Sequence, residues 1–280
     1  MEEPLPAGGS CLLGAMNLNN FVINEFKEQA EFDFDNFKIA VEDAVFYLNE
    51  ILEEGLPLHP LQEQRDSVKK WRQIGLGIMG LADMFIKLGI RYGSDESIEL
   101  SEKIGKIMAN SALQASAKVA REQGTFPKYN EKATLDSYYI NNVATEETLK
   151  MIKKHGLRNS QVLTIAPTGS ISNICGVSGG IEPIYKVSYL RTTKSLHGED
   201  REYKVFSPVV RKLMEVKGIK DEDDLPGYVT DAHRLDYNER IKMQATWQEY
   251  IDASISSTIN LDNDVTVEDI RDIYVKAWKN

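Results

Sequence analysis

SQVLTIAPTGSIS, residues 160–172, is the stretch on which the reading of the fold turns. Its first half, Ser160 to Ala166, is a compact run rich in β-branched residues, the strongest strand signal in the chain. Pro167-Thr168-Gly169-Ser170-Ile171-Ser172 makes the turn after it and opens a short helix. Free N–H groups and the dipole at such a terminus favour an anion. Gly169 permits close approach of a ligand, and Thr168, Ser170 and Ser172 add hydroxyl donors without bulk. An ordinary capped turn has the same composition, and the residues alone leave both readings open.

Outward from this stretch the pattern is mostly helical. Phe37, Val41, Ala44, Val45, Leu48 and Leu52 share one face at 3.6-residue spacing, predicting a helix from Asp33 to about Leu52 with Asp33 or Asp35 as its cap. A second helix is expected over Leu61–Lys70. A third, Ile74–Leu88, is apolar on nearly all sides and should be buried. Ser94 opens a long helix to about Gln123, with Leu100, Ile104, Ile107, Met108, Ala115 and Val119 inward. A polar connection and a short helix near Glu146–His155 follow. Strands are expected at Ile184–Arg191 and Ser254–Leu261, and helices near Pro208–Lys217, Tyr237–Tyr250 and Thr266–Trp278. Leu12, Leu13, Met16, Leu18, Phe21 and Val22 read as a buried strand entered abruptly, as if the chain were cut from something longer. Strands interleaved with long helices indicate α/β. The helix content is high for so few strands, which suits part of a larger barrel. No repeat or low-complexity linker divides residues 1–280, so one domain is expected.

The chain has 280 residues and a net charge of -10, which argues against nucleic-acid binding through bulk electrostatics. No apolar run is long enough to span a membrane, and the first residues do not read as a signal peptide. Two cysteines, Cys11 and Cys175, make no disulfide scaffold and no zinc spacing. The histidines (His59, His155, His197, His233) are scattered, so no metal site is expected. A cytoplasmic protein with reduced thiols follows.

Several motifs have plain readings. Gly75-Leu-Gly77-Ile-Met-Gly80 matches G-x-G-x-x-G, but the preceding segment is charged and helical, so the glycines are expected to serve close packing on a buried helix. Asp231-Ala-His233-Arg-Leu-Asp236 falls one glycine short of the D-x-H-x-x-G cobalamin-ligand motif, leaving His233 an ordinary surface residue. Cys11 and Cys175 are by default buried small residues. Asp221-Glu-Asp-Asp224 reads as a solvated loop.

Taken together, GSCLLGAMNL (9–18), WRQIGLGIMGLAD (71–83), APTGSIS (166–172), GIEP (180–183) and DASISSTIN (252–260) resemble the large subunits of ribonucleotide reductases, most closely the adenosylcobalamin-dependent class II. The resemblance implies the C-terminal part of a ten-stranded α/β barrel with a central finger loop carrying a radical cysteine. Glu2-Glu3-Pro4-Leu5-Pro6 matches the end of the finger motif, which places Glu2 on the carboxylate that acts on the substrate's 3′-hydroxyl and puts the radical cysteine upstream of residue 1. Cys11 matches one member of the cysteine pair that supplies reducing electrons. Pro167, Thr168, Gly169, Ser170, Ile171 and Ser172 match the element that binds the substrate phosphates. The implied cofactor is adenosylcobalamin. The implied partners are a ribonucleotide, the N-terminal portion of the reductase and a thioredoxin-type reductant. The isolated chain is expected to be inactive. A class I enzyme fed by a separate radical-generating subunit would share this ribose chemistry, and cobalamin dependence of the complete enzyme separates the two. A non-catalytic descendant would keep the phosphate loop and need neither Glu2 nor Cys11.

Overall fold

The computed structural model describes residues 3–193, 201–261 and 263–280. Glu2 and His197 lie outside the described residues. Strand β1 (Leu13–Asn17) leads through a 3₁₀ turn to a short antiparallel pair, β2 (Val22–Ile23) and β3 (Glu31–Phe32). Helices α1 (Phe34–Gly55) and α2 (Gln62–Trp71) then lead to β4 (Gly75–Met79). Next come α3 (Leu81–Leu88), α4 (Asp95–Gln123), α5 (Glu131–Leu135), α6 (Tyr138–Val143) and α7 (Glu146–His155). After the 160–166 segment come α8 (Gly169–Cys175), the hairpin β5 (Ser188–Thr193) and β6 (Arg201–Phe206), α9 (Pro208–Lys217), α10 (Tyr237–Gln248) and α11 (Val267–Lys279).

The organising feature is a parallel arc. β1 pairs with β4 from Leu13↔Gly75 to Asn17↔Met79. β4 bridges to the next segment at Leu76↔Leu163, and that segment bridges onward at Ile165↔Ile255, both parallel. The Leu76 N–H donates to the Val162 carbonyl at 2.9 Å, and the Ser256 N–H to the Ile165 carbonyl at 2.8 Å. Parallel neighbours need long crossovers. Here α1–α2, α3–α7 and α8–α10 supply them. The arc is open among the described residues, an α/β piece of a barrel wall rather than a closed barrel.

β4 corrects the expectation of one helix over Ile74–Leu88. All five of its residues are buried. An apolar run buried on every side reads the same as strand or helix, and a parallel strand covered on both faces lacks the alternation that would distinguish it. The glycines decide the matter. A Cβ on Gly77 would stand 2.3 Å from the Thr164 carbonyl oxygen, and one on Gly75 2.4 Å from Thr164 Cγ2. Gly80, at φ 73°, turns the chain into α3. A strand and a helix therefore do flank the motif. However, Gly75 and Gly77 lie inside the strand rather than in a phosphate-binding turn, so close packing is their role.

Other boundaries follow local chemistry. Asp33 caps α1 by accepting the Asn36 N–H at 3.1 Å, and Phe37, Val41, Val45, Leu48 and Leu52 form its buried face. Ser94 caps α4, whose Ile104, Met108, Ala115 and Val119 are buried, with Leu100 and Ile107 partly so. Thr266 and Asp269 close a capping box on α11. The connection read as merely polar holds α5 and α6, too short to show a periodic face. The strand expected at Ile184–Arg191 is shifted to Ser188–Thr193, because Ile184 instead accepts the Ala232 N–H at 2.9 Å. β6 was not anticipated: its exposed, charged residues carry no apolar alternation. Of Ser254–Leu261, only Ile255 bridges to the arc before the chain leaves it. The Asp221–Asp224 run forms a 3₁₀ turn at Glu222–Asp224, and Glu222 is tied to Lys204 at 2.8 Å.

Two buried polar networks fix the arc's surroundings. Asn159 exchanges side-chain hydrogen bonds with Asn49 at 2.9 and 3.1 Å and accepts the Ser116 hydroxyl, joining α1, α4 and the start of the 160–166 segment. Asp83 on α3 accepts the Ser178 N–H at 2.7 Å, which anchors the chain leaving α8.

Candidate functional site

The Pro167–Ser172 turn stands where the 160–166 segment leaves the arc. Thr168 occupies the left-handed region at φ 55°, costly for a β-branched residue and held only where its surroundings impose it. Its hydroxyl donates to the Pro167 carbonyl at 2.7 Å and accepts the Gly180 N–H at 3.0 Å. Ser172 is buried, and its N–H donates to the Thr168 carbonyl at 2.8 Å. Two of the three hydroxyls read as ligand donors therefore face inward, and Ser170 alone is exposed. Gly169, Ser170 and Ile171 form the first turn of α8, whose N–H groups have no partner within the helix. No atom lies within 4 Å of where a Gly169 Cβ would stand, so this backbone faces open space.

Beside α8 opens a cavity of about 610 Å³, lined in part by Ser172, Asn173, Ser178, Glu182, Tyr185 and Thr258. Its size is in the range of small-molecule sites. Glu182, from the GIEP stretch, pairs with Arg240 and accepts the Thr258 N–H at 2.9 Å. Burial raises the Glu182 carboxyl above its usual value, although Arg240 and the Thr258 bonds oppose this. Arg240 is itself buried and also donates to the Tyr92 hydroxyl at 2.8 Å. Sequence reading assigned no role to either residue. Glu182 lay inside a quoted block, whereas Arg240 carries no local signal.

Cys11 precedes β1 on the extended chain, where the Gly75 N–H donates to the Leu12 carbonyl at 2.9 Å. Both cysteines are exposed and outside any disulfide, which corrects the expectation that they are buried small residues. Cys11 precedes the apolar face of β1 rather than lying within it. Cys175 sits in the last turn of α8, whose buried contact is Ser172. Beneath Cys11 lies Glu3, only 7% exposed. Glu3 is pushed up to about 7, mainly by burial, with the Cys11 hydrogen bond opposing and the Asp252 charge adding to the rise. Asp252 accepts the Val162 and Leu163 N–H groups at 2.9 and 2.7 Å. Its burial outweighs these bonds and pushes it up to about 6.

These two carboxyls give the fold a pH signature. In the folded chain they hold protons that the unfolded chain releases between roughly pH 4 and 7, so their contribution to stability falls as pH rises through that window. Glu3→Gln should therefore reduce the loss of melting temperature between about pH 5 and about pH 8. A slope identical to the parent's in calorimetry would show that Glu3 does not titrate in the folded chain.

The structure does not bring Cys11 and the 167–172 turn into contact. Gly14 stands opposite Leu76, which bridges Leu163; Cys11 lies three residues before that level and Pro167 four beyond it. At the usual strand rise the two are roughly 20 Å apart along the arc. Glu3 lies between them, its carboxylate 3.0 Å from where a Gly75 Cβ would stand. His233 is exposed and meets Tyr185 edge-on at 5.1 Å between ring centroids, as a surface histidine would.

The family model of the ribonucleotide reductase barrel domain matches residues 1–280. A vitamin B12-dependent ribonucleoside-diphosphate reductase of Thermoplasma acidophilum is 33% identical over 99% of this chain, which spans 35% of that protein. The Mycobacterium tuberculosis enzyme of the same name is 29% identical over 99% of the chain, which spans 39% of it. The ribonucleoside-diphosphate reductase subunit alpha of Chlamydia pneumoniae is 28% identical over 96% of the chain, which spans 28% of it. The chain thus covers little more than a third of the B12-dependent relatives. A match along its whole length agrees with a parallel α/β arc that runs from β1 through β4 and the 162–165 segment to Ile255, and the chain belongs to the ribonucleotide reductase barrel-domain family.

Proposed function

We propose that this chain is the C-terminal part of a reductase catalytic barrel that converts ribonucleotides to 2′-deoxyribonucleotides. The family match over residues 1–280 carries the reading. The 167–172 turn holds the substrate phosphates through the N–H groups of Gly169, Ser170 and Ile171 and the Ser170 hydroxyl. Thr168 and Ser172 act by shaping the turn, consistent with their internal hydrogen bonds. Cys11 is one thiol of the pair whose oxidation to a disulfide supplies two electrons to the substrate. Glu2 is the carboxylate that moves the 3′-hydroxyl proton. The remainder of the reductase completes the site, a thioredoxin-type protein re-reduces the thiols, and the setting is the cytoplasm. No helix among the described residues is long and apolar enough to cross a membrane.

The relatives named as vitamin B12-dependent make adenosylcobalamin the proposed radical cofactor of the complete enzyme. The residues here do not fit a cobalamin ligand site: His233 packs edge-on against Tyr185, and Asp236 stands where the ligand motif needs glycine. No step of the chemistry is assigned to that group through this chain.

Gly169→Val tests the phosphate seat. A Cβ at Gly169 meets no atom outside its chain neighbours and its own helix backbone, so melting should change little. In the enzyme containing this chain, KM for the ribonucleotide should rise about tenfold or more, the loss of one good contact. An unchanged KM would remove the loop from the substrate site. Turnover measured with and without adenosylcobalamin separates the B12-dependent enzyme from one fed by a second subunit.

A further inference from the structure

The turn at Gly179–Glu182 is closed by the Glu182 N–H donating to the Gly179 carbonyl at 2.8 Å, and it lies backbone to backbone on the 167–172 turn. A Cβ on Gly179 would stand 2.6 Å from the Pro167 carbonyl oxygen. Gly180, at φ 47°, supplies the N–H that Thr168 accepts in its left-handed conformation. The position of one turn therefore sets the other. At the start of the 179–182 turn, the Gly80 N–H donates to the Ser178 carbonyl at 2.7 Å. At its end stands Arg240 of α10, 3% exposed. Arg240 Nη1 donates to the Tyr92 hydroxyl at 2.8 Å and to the Ile181 carbonyl at 3.3 Å, and the Tyr92 hydroxyl donates to that same carbonyl at 2.5 Å. Nη2 donates to Glu182 and, at 2.6 Å, to the Thr258 carbonyl. Glu182 and Thr258 line the cavity beside α8, and Arg240 is buried behind them.

We propose that Arg240 is a positioning residue for the phosphate turn: it fixes the 179–182 turn, and that turn holds Thr168 in the conformation that presents the N–H groups of Gly169, Ser170 and Ile171 to the substrate. The inference rests on reading 167–172 as the phosphate seat. Taking a guanidinium out of water is costly unless acceptors meet it. Here the acceptors come from residue 92, residues 181–182 and residue 258, so one side chain locks three separate stretches together. A planar fork serves acceptors on two sides at once, whereas an ammonium is a point charge on a flexible stem. A β-branched residue keeps a positive φ only where its surroundings impose it. Loosening the 179–182 turn releases Thr168, and the N–H groups that follow it lose their common direction.

The test uses the enzyme containing this chain. Arg240→Lys keeps the positive charge beside Glu182 but cannot span both sets of acceptors. KM for the ribonucleotide should rise about tenfold, with kcat within about twofold of the parent's. Tyr92→Phe removes only the relay to Ile181 and should raise KM about threefold. Arg91→Ala breaks the neighbouring ion pair with Glu239 on the same helix and should leave KM unchanged. In the double variant, Arg240→Lys should add less than about twofold to the KM of Gly169→Val, because both act on one turn. A parental KM in Arg240→Lys would overturn the proposal. So would a loss confined to kcat, or a rise in KM that multiplies in full with that of Gly169→Val. Where Arg240→Lys does not fold, Tyr92→Phe decides, and a parental KM there overturns the proposal too. Gly169→Val alone tests the phosphate seat: no effect there removes the reading itself, whereas an effect there with none in Arg240→Lys removes only the bracing role.

Discussion

Gly77→Ala should destabilise the chain by about 3 kcal/mol or more, lowering its melting temperature by roughly 10 °C. The methyl group would stand 2.3 Å from the Thr164 carbonyl oxygen. That oxygen is backbone, in a segment tied to β4 on one side and to 253–256 on the other, so it cannot swing aside as a side chain could. Either β4 moves away and the Leu76–Val162 and Thr164–Leu76 hydrogen bonds stretch, or the peptide rotates and loses them. Both outcomes damage the centre of the arc. Gly169→Val is the matched control, a larger addition placed in open space. Equal melting of Gly77→Ala and the parent would mean that β4 does not pack backbone to backbone against residues 162–165.

In the enzyme containing this chain, Cys11→Ser should cut ribonucleotide reduction by about a hundredfold or more, with substrate binding little changed. Serine nearly preserves the shape of the side chain, but it cannot form the disulfide proposed above to supply the electrons. Cys175→Ser should leave turnover near the parent's, since Cys175 is assigned no part in the chemistry. Full turnover by Cys11→Ser would transfer the reducing role elsewhere and favour a non-catalytic history for this segment.

The contrast between β4 and α1 shows which parts of the fold could be read in advance. α1 has one buried stripe, and Asp33 announces its start, so period and cap agree. β4 is buried on both faces and has no period to detect. Its strand character comes from its neighbours, Leu13–Asn17 and residues 162–165, which only the folded chain brings together. The same distinction separates the strand signal at 160–166, legible from its β-branched residues, from β6, whose charged sequence becomes a strand only by pairing with β5. At the site, the 167–172 turn was legible because strand, proline and glycine occur in a row. Which hydroxyls face inward was not, since Thr168 turns on a bond from Gly180, twelve positions away. Glu3, Asp252 and Arg240 carry no role in the sequence reading for a related reason. Each is an ordinary charged residue in sequence, and each gains its character from burial beside groups distant along the chain.

The most direct measurement is the redox state of Cys11 after turnover without an external reductant. The enzyme containing this chain is pre-reduced, given a ribonucleotide and its radical cofactor, quenched, alkylated and mapped by mass spectrometry. The account predicts that Cys11 becomes inaccessible to alkylation in step with 2′-deoxyribonucleotide formation, and that its peptide is recovered as a disulfide with a second cysteine. Cys11 recovered as the alkylated thiol after deoxyribonucleotide has formed would contradict it.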